Sequence, residues 1–265
     1  MSIATARKLH PPVDEADYSS IVTEDDEPVD NYFSSANQRL LTEPMIDAWP
    51  GPPPGEGGGR RTFIVDANVG VFLSPYEPPL VPDAFLSVDV ELARDLWAKK
   101  NRCYFCNLMG KPPDVAIEIV SNDEGNELGS KKRRYAKMGI PYYVVYDPQK
   151  ILSDVVFRGF ELRGQSYVRM PSVQFEGGAP GRVGFWFEPL GVGLILWRGV
   201  YAKRHETWLR WCLADGSFVP TGDERAEDER KEREAAEGRA EDERKRSERL
   251  AARLRALGVD PDDAG

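Results

Sequence analysis

The chain has 265 residues, 41% of them hydrophobic and 30% charged, with a formal net charge of −9. That is enough apolar material for one sizeable core, and no run of about 18 apolar residues exists to cross a membrane. Residues 1–12 lack the apolar stretch of a secretory leader, so a cytoplasmic protein is expected; three cysteines are too few for a disulfide framework. The charge is unevenly spread: residues 1–80 carry 5 basic and 13 acidic side chains, 81–215 carry 19 and 16, and 216–265 carry 11 and 15. The slightly basic centre permits contact with phosphates without demanding it.

Residues 1–35 are acidic and short of aliphatic clusters, which predicts a disordered arm. Residues 36–49 are compatible with a helix, and the proline- and glycine-rich stretch 50–59 reads as a linker or long loop. β-Branched alternation predicts strands over 62–73 and 81–88, paired as neighbours. Residues 90–109 suit a helix or an irregular connection, which Gly110-Lys111-Pro112-Pro113 ends before an apolar strand over 114–120. A helix is predicted over 127–138, stopped by Gly139 in a left-handed conformation and by Pro141, with a strand over 142–146. Short strands with glycine-rich turns follow at 154–162, 167–173, 183–188, 192–197 and 207–213. The fold class is α/β (α+β), with a mixed sheet flanked by helices in one domain over 36–215.

Beyond residue 216 the composition turns to Arg, Glu, Asp, Lys and Ala, and Arg225-Ala226-Glu227-Asp228-Glu229-Arg230-Lys231 recurs unchanged as 239–245. Glu227 with Lys231 and Glu241 with Lys245 are in the favourable i,i+4 order, so 216–265 reads as a charged helical tail. It is either a solvated single helix or a coiled coil that binds itself or another protein. Most a and d positions are charged or alanine, which favours the solvated helix.

On a strand over 114–120, Asp114, Ala116, Glu118 and Val120 face one way while Val115, Ile117 and Ile119 face the other. Glu118 thus falls inside an apolar strand, and burying it requires a compensating partner. Asp83 follows Pro82 at the start of another predicted strand and could lie beside it. Two carboxylates at a sheet end suit a hard cation such as Mg²⁺ or Mn²⁺, although ordinary strand-end acids are common. On the helix over 127–138, Lys131 shares the apolar face of Leu128, Tyr135 and Met138. Either its stem packs while its ammonium reaches water, or it points at the carboxylates to polarise an attacking water. Lys132, Arg133, Arg134 and Lys137 lie largely on other faces, where they could contact phosphates or simply be solvated. Cys103-Tyr104-Phe105-Cys106 has zinc-ligand spacing but no second pair, so packed thiols are expected, and His205 reads as exposed. Gly57-Gly58-Gly59 lacks the Lys-Ser/Thr of a phosphate-binding loop.

Four stretches together carry a resemblance: Val81-Pro82-Asp83, Pro113-Asp114-Val115-Ala116-Ile117-Glu118-Ile119-Val120-Ser121, Glu127-Leu128-Gly129-Ser130-Lys131-Lys132-Arg133-Arg134-Tyr135-Ala136, and Gly139-Ile140-Pro141-Tyr142-Tyr143-Val144-Val145-Tyr146-Asp147-Pro148. In this order they resemble the Uma-type restriction endonuclease family, over roughly residues 60–215. The resemblance implies a PD-(D/E)xK core with a restriction-endonuclease-like fold, often dimeric, in which Asp83 and Glu118 hold Mg²⁺ (or Mn²⁺) and a lysine assists the attacking water. Val120 stands where the superfamily's lysine would be, two residues after the acid, so Lys131 is its migrated substitute. Tyr135 and Asp114 are in support, the latter as a second metal ligand or a turn residue. The implied function is metal-dependent hydrolysis of nucleic-acid phosphodiesters, DNA foremost. The alternative is a catalytically inactive nuclease fold that acts as a binding or assembly module through its helical tail.

Overall fold

The computed structural model of the protein describes residues 31–55, 58–122, 126–175 and 183–257. The acidic arm up to residue 30 lies outside them, as do Gly57 and the tail's terminators Gly258 and Pro261. The chain divides into two units, one ending at Val219 and one beginning at Pro220.

The first unit starts with α1 (Tyr32–Ala48), whose N-cap Asn31 accepts from the Phe33 and Ser34 amides. Residues 32–35, read from sequence as arm, therefore belong to this helix. There follow β1 (Phe63–Asp66), β2 (Val71–Phe72), β3 (Ala84–Val88), β4 (Tyr104–Phe105), α2 (Cys106–Met109) and β5 (Val115–Ile119). Next come α3 (Ser130–Met138), β6 (Tyr142–Tyr146), β7 (Phe157–Arg163), β8 (Ser166–Arg169), β9 (Val173–Gln174), β10 (Val183–Phe187), β11 (Val192–Tyr201) and β12 (Arg204–Cys212). The main sheet has the order β1-β3-β5-β6-β7-β8 and a second has the order β12-β11-β10-β9. In the main sheet β5 and β6 pair in parallel across the α3 connection, and the other neighbours are antiparallel. This is the mixed α/β, restriction-endonuclease-like architecture with a C-terminal helix that the sequence predicts.

β5 is buried at every position, which explains its nearly continuous apolar run. Val115, Ile117 and Ile119 pack in one core with Leu41 and Met45 of α1, Phe187 of β10 and Trp211 of β12. Ala116 and Val120 face a second core with Tyr135, Met138 and Ile140. The strand predicted over 62–73 is broken, because Asn68 takes a left-handed φ of 56° and donates its amide to the Pro82 carbonyl. β1 does pair with β3 as expected. Residues 90–109 form an irregular connection containing β4 and α2. The helix predicted from residue 127 starts at Ser130, which leaves Leu128 in a turn and 37% exposed. Gly139 ends α3 at a φ of 85°, as the sequence predicts.

The second unit contains α4 (Gly222–Ala256), opened by a capping box between Thr221 and Glu224. Glu227–Lys231 and Glu241–Lys245 pair at 3.5 and 3.4 Å, and no residue of α4 is buried. Among the described residues no helix is long and apolar enough to cross a membrane.

Helix α1 is fastened to the second sheet by Trp211, whose indole N–H donates to the Leu41 carbonyl at 2.8 Å, and by Asn37. Buried Asn37 donates to the Leu209 carbonyl at 2.9 Å and accepts from the Leu209 amide at 3.1 Å. Asn37→Ala orphans both groups and is expected to lower the unfolding free energy by ~2–4 kcal/mol, read by urea denaturation. A loss below about 0.5 kcal/mol would mean that the Trp211–Leu41 hydrogen bond and apolar contacts seat the helix without Asn37.

Candidate active site

The β3–β5 register aligns Ala84 with Ile117, so Asp83, one residue before β3, falls beside the end of β5. Its Oδ2 accepts from the Ile119 amide at 2.7 Å, and its Oδ1 accepts from Gln38 Nε2 at 3.0 Å. Gln38 in turn accepts from Asn68 Nδ2 at 3.1 Å. Three separate elements therefore fix one carboxylate: the end of β5, α1, and the turn after β1.

Glu118 is 1% exposed. Its Oε2 meets Lys131 Nζ at 2.6 Å, and its Oε1 accepts from the Tyr135 hydroxyl at 2.5 Å. Lys131 and Tyr135 are four apart on α3, so one helix face delivers both a cation and a hydroxyl to the same carboxylate. Burial pushes Glu118 up to about 8, with the charge of Asp83 adding to the effect and Lys131 and Tyr135 opposing it. Burial also pulls the Lys131 ammonium down, but the charge and hydrogen bond of Glu118, together with the charges of Asp83 and Glu127, outweigh it and Lys131 is raised. Tyr135, buried and facing Glu118, is held well above the usual phenol value. Lys131 thus stays charged and Tyr135 stays a donor.

Asp83, Glu118, Lys131 and Asn68 line an open cleft of about 430 Å³, which Ser130, Arg134 and Glu127 also border. Glu127 is 6% exposed, and its Oε2 has no hydrogen-bond partner among the described residues. Sequence reasoning missed Glu127, Gln38 and Asn68 as site residues. Only Glu127 offered a signal, an acid four residues before Lys131, and it reads equally as a helix-start acid.

The structure does not bring Asp114 to the cleft. It lies at the other end of β5, roughly 13 Å away at strand rise, where its Oδ2 accepts from the Val88 amide at 2.8 Å and from Lys111 at 2.6 Å. Lys132 sits over the Phe160 ring at 3.6 Å, and Arg133 lines a separate groove beside β8. Arg134 reaches the cleft rim and donates to the carbonyls of Pro78 and Pro79 at 3.1 and 2.9 Å. All three cysteines are buried and unbridged, and His205 is exposed.

Among the described residues no three acidic, histidine or cysteine side chains form a ready-made metal cage. The donor set still fits a hard divalent cation. Mg²⁺ takes one or two carboxylates and completes its shell with waters and substrate phosphate, and Asp83 and Glu118 border the same open cleft near an unsatisfied third carboxylate.

Over residues 34–177 the sequence matches the model of the Uma2 family, described as "Putative restriction endonuclease". No curated protein and no solved structure gives a match.

The sign of the Glu118 shift makes a prediction. Its folded value near 8 lies above the ordinary 4.5, so its contribution to stability is full below about 4.5 and lost as the pH rises through about 8. In chelator, the native chain is expected to lose melting temperature relative to Glu118→Gln across that window. Parallel melting curves would show that Lys131 keeps Glu118 ionised throughout.

Proposed function

This chain belongs to the Uma2 restriction endonuclease family, and on that premise we propose that it is a divalent-metal-dependent nuclease that hydrolyses nucleic-acid phosphodiesters, DNA foremost. The observation that carries this reading is Glu118, buried at the wall of an open cleft, bridged by Lys131 and Tyr135, and adjacent to a separately anchored Asp83. Asp83 and Glu118 would hold Mg²⁺ or Mn²⁺. When bound, such an ion polarises the phosphoryl oxygen and lowers the pKa of water.

The chain's own residues would do the rest. The Lys131 ammonium orients the attacking water and counters charge that develops on the phosphate. Tyr135 fixes the second oxygen of Glu118, while Gln38 and the Ile119 amide fix Asp83, so both acids are aimed before substrate arrives. Arg134, at the rim, can turn from its loop carbonyls to a phosphate oxygen. One observation favours a second reading, an inactive nuclease fold retained for binding or assembly. Both oxygens of each acid are already satisfied by protein donors, a network complete without metal.

Cleavage of plasmid, linear duplex, single-stranded DNA and RNA with Mg²⁺ or Mn²⁺ separates the two. The nuclease is expected to lose at least about a hundredfold in rate on Glu118→Gln, Asp83→Asn or Lys131→Ala. Tyr135→Phe, which removes only a positioning bond, should cost less. Mn²⁺ should also raise the melting temperature of the native chain but not of Asp83→Asn. A folded protein that cuts nothing, and whose melting point ignores the metal, belongs to the second reading.

A further inference from the structure

The segment between β3 and β4 exposes apolar side chains that the fold does not use. Trp97 is 84% exposed, Leu92 54% and Leu96 50%. A globular surface seldom leaves so large an aromatic unpacked beside two leucines. The backbone at Trp97 is nevertheless held in place. Its amide and that of Ala98 donate to Asp95 Oδ1 at 3.0 and 3.3 Å, Asn101 Nδ2 donates to the Asp95 carbonyl at 2.6 Å, and Arg102 Nε donates to the Trp97 carbonyl at 3.1 Å. Trp97, Leu92 and Leu96 border a hollow of about 350 Å³, floored by Phe85 and Tyr104, with Asp66 supplying a polar edge.

The hollow adjoins the cleft that holds Asp83 and Glu118. Asn68 lines the cleft while its neighbour Val69 lines the hollow, so a single turn separates them. The segment carries Arg94, Lys99, Lys100 and Arg102 against Asp89, Glu91 and Asp95; Asp89 is paired with Arg61, and Arg102 is in the lining of the hollow. An apolar slot with an aromatic wall, an acceptor at its edge and a cation in its lining matches an unpaired nucleotide. The base stacks on the ring, its edge donates to the carboxylate, and its phosphates meet the cations. A base inside a continuous duplex cannot enter such a slot without being extruded.

We propose that this hollow is a binding site for an unpaired nucleobase, walled by Trp97, and that the substrate presents a single-stranded nucleotide next to the bond that is cut. Only the second half rests on the nuclease reading. The slight cationic excess of the segment, with Arg102 in the lining, favours nucleic acid over a second copy of this acidic chain.

The test is binding of the full chain, in EDTA so that nothing is cut, to fluorescein-labelled oligothymidylate, mixed-sequence single strand and hairpin duplex, compared with Trp97→Ala and Trp97→Phe. Trp97 is exposed, so neither change should unfold the protein. Trp97→Ala is expected to weaken single-strand binding by about five- to a hundredfold, and Trp97→Phe by much less. Duplex binding should be weaker at the outset and insensitive to both changes. Unchanged single-strand affinity in Trp97→Ala overturns the proposal, as does an equal loss on duplex. So does a variant whose only defect is lost self-association in sedimentation, which would make the patch a protein contact. Trp97-dependent binding by a chain that cuts nothing would uphold the site and reject the nuclease reading. Cleavage with a Trp97-independent affinity would do the reverse.

Discussion

Everything near the cleft depends on one costly act, the burial of a carboxylate in the middle of the main sheet. An unpaired buried charge costs several kcal/mol, so Glu118 is tolerated only because α3 brings Lys131 and Tyr135 to its two oxygens. That requirement sets the rotation of α3 about its axis. With residues 131 and 135 turned to the sheet, Met138 also faces the core, and the left-handed Gly139 then returns the chain so that Tyr142 enters the strand parallel to β5. The parallel crossover and the candidate site are the same piece of structure.

Asp83 is held by a different logic. Consecutive residues of α1 point to two layers: Asn37 clamps Leu209 of the second sheet, and Gln38 clamps Asp83. The position of the acid is thereby referred to the second sheet through one rigid helix. Asn68 adds a further brace, and its left-handed backbone allows the turn after β1 to come back against Pro82. Groups fixed in this way need little rearrangement when charge develops, which is where electrostatic stabilisation gains most of its strength.

The parts of this arrangement that were legible in the sequence were energetic misfits. An acid in an apolar strand and a lysine on an apolar helix face are each expensive, and each is the remedy for the other. The strands and helix that carry them, β5, α3 and β6, were also the most strongly patterned. Gln38 was invisible because an amide in an amphipathic helix breaks no rule, and Asn68 because it sits within a β-branched run that reads as uninterrupted strand. Glu127 was hidden by its resemblance to a helix-start acid. Asp114 shows the limit of period-two reasoning. It does share a face with Glu118, but alternation fixes the face and not the end of the strand, and the Val88 amide and Lys111 claim it at the far end.

The two depressions that flank the β1–β2 turn differ in kind, and the charge of the chain suggests why both are needed. With a net charge of −9 overall and 19 basic against 16 acidic residues in the central segment, long-range attraction to a polyanion is weak and fades further with salt. On the proposed reading, binding to nucleic acid would therefore come mainly from contacts at short range. The polar cleft is poorly suited to supply them, since Lys131 is paired with Glu118, Arg134 is engaged by the Pro78 and Pro79 carbonyls, and its acids repel phosphate in the absence of metal. Stacking on an exposed indole carried by an anchored backbone has neither defect, because the stacking contact itself needs no charge on the protein. On the proposed reading, a protein that divides grip from chemistry in this way would hold its strand by the base and leave the phosphate free to meet the carboxylates.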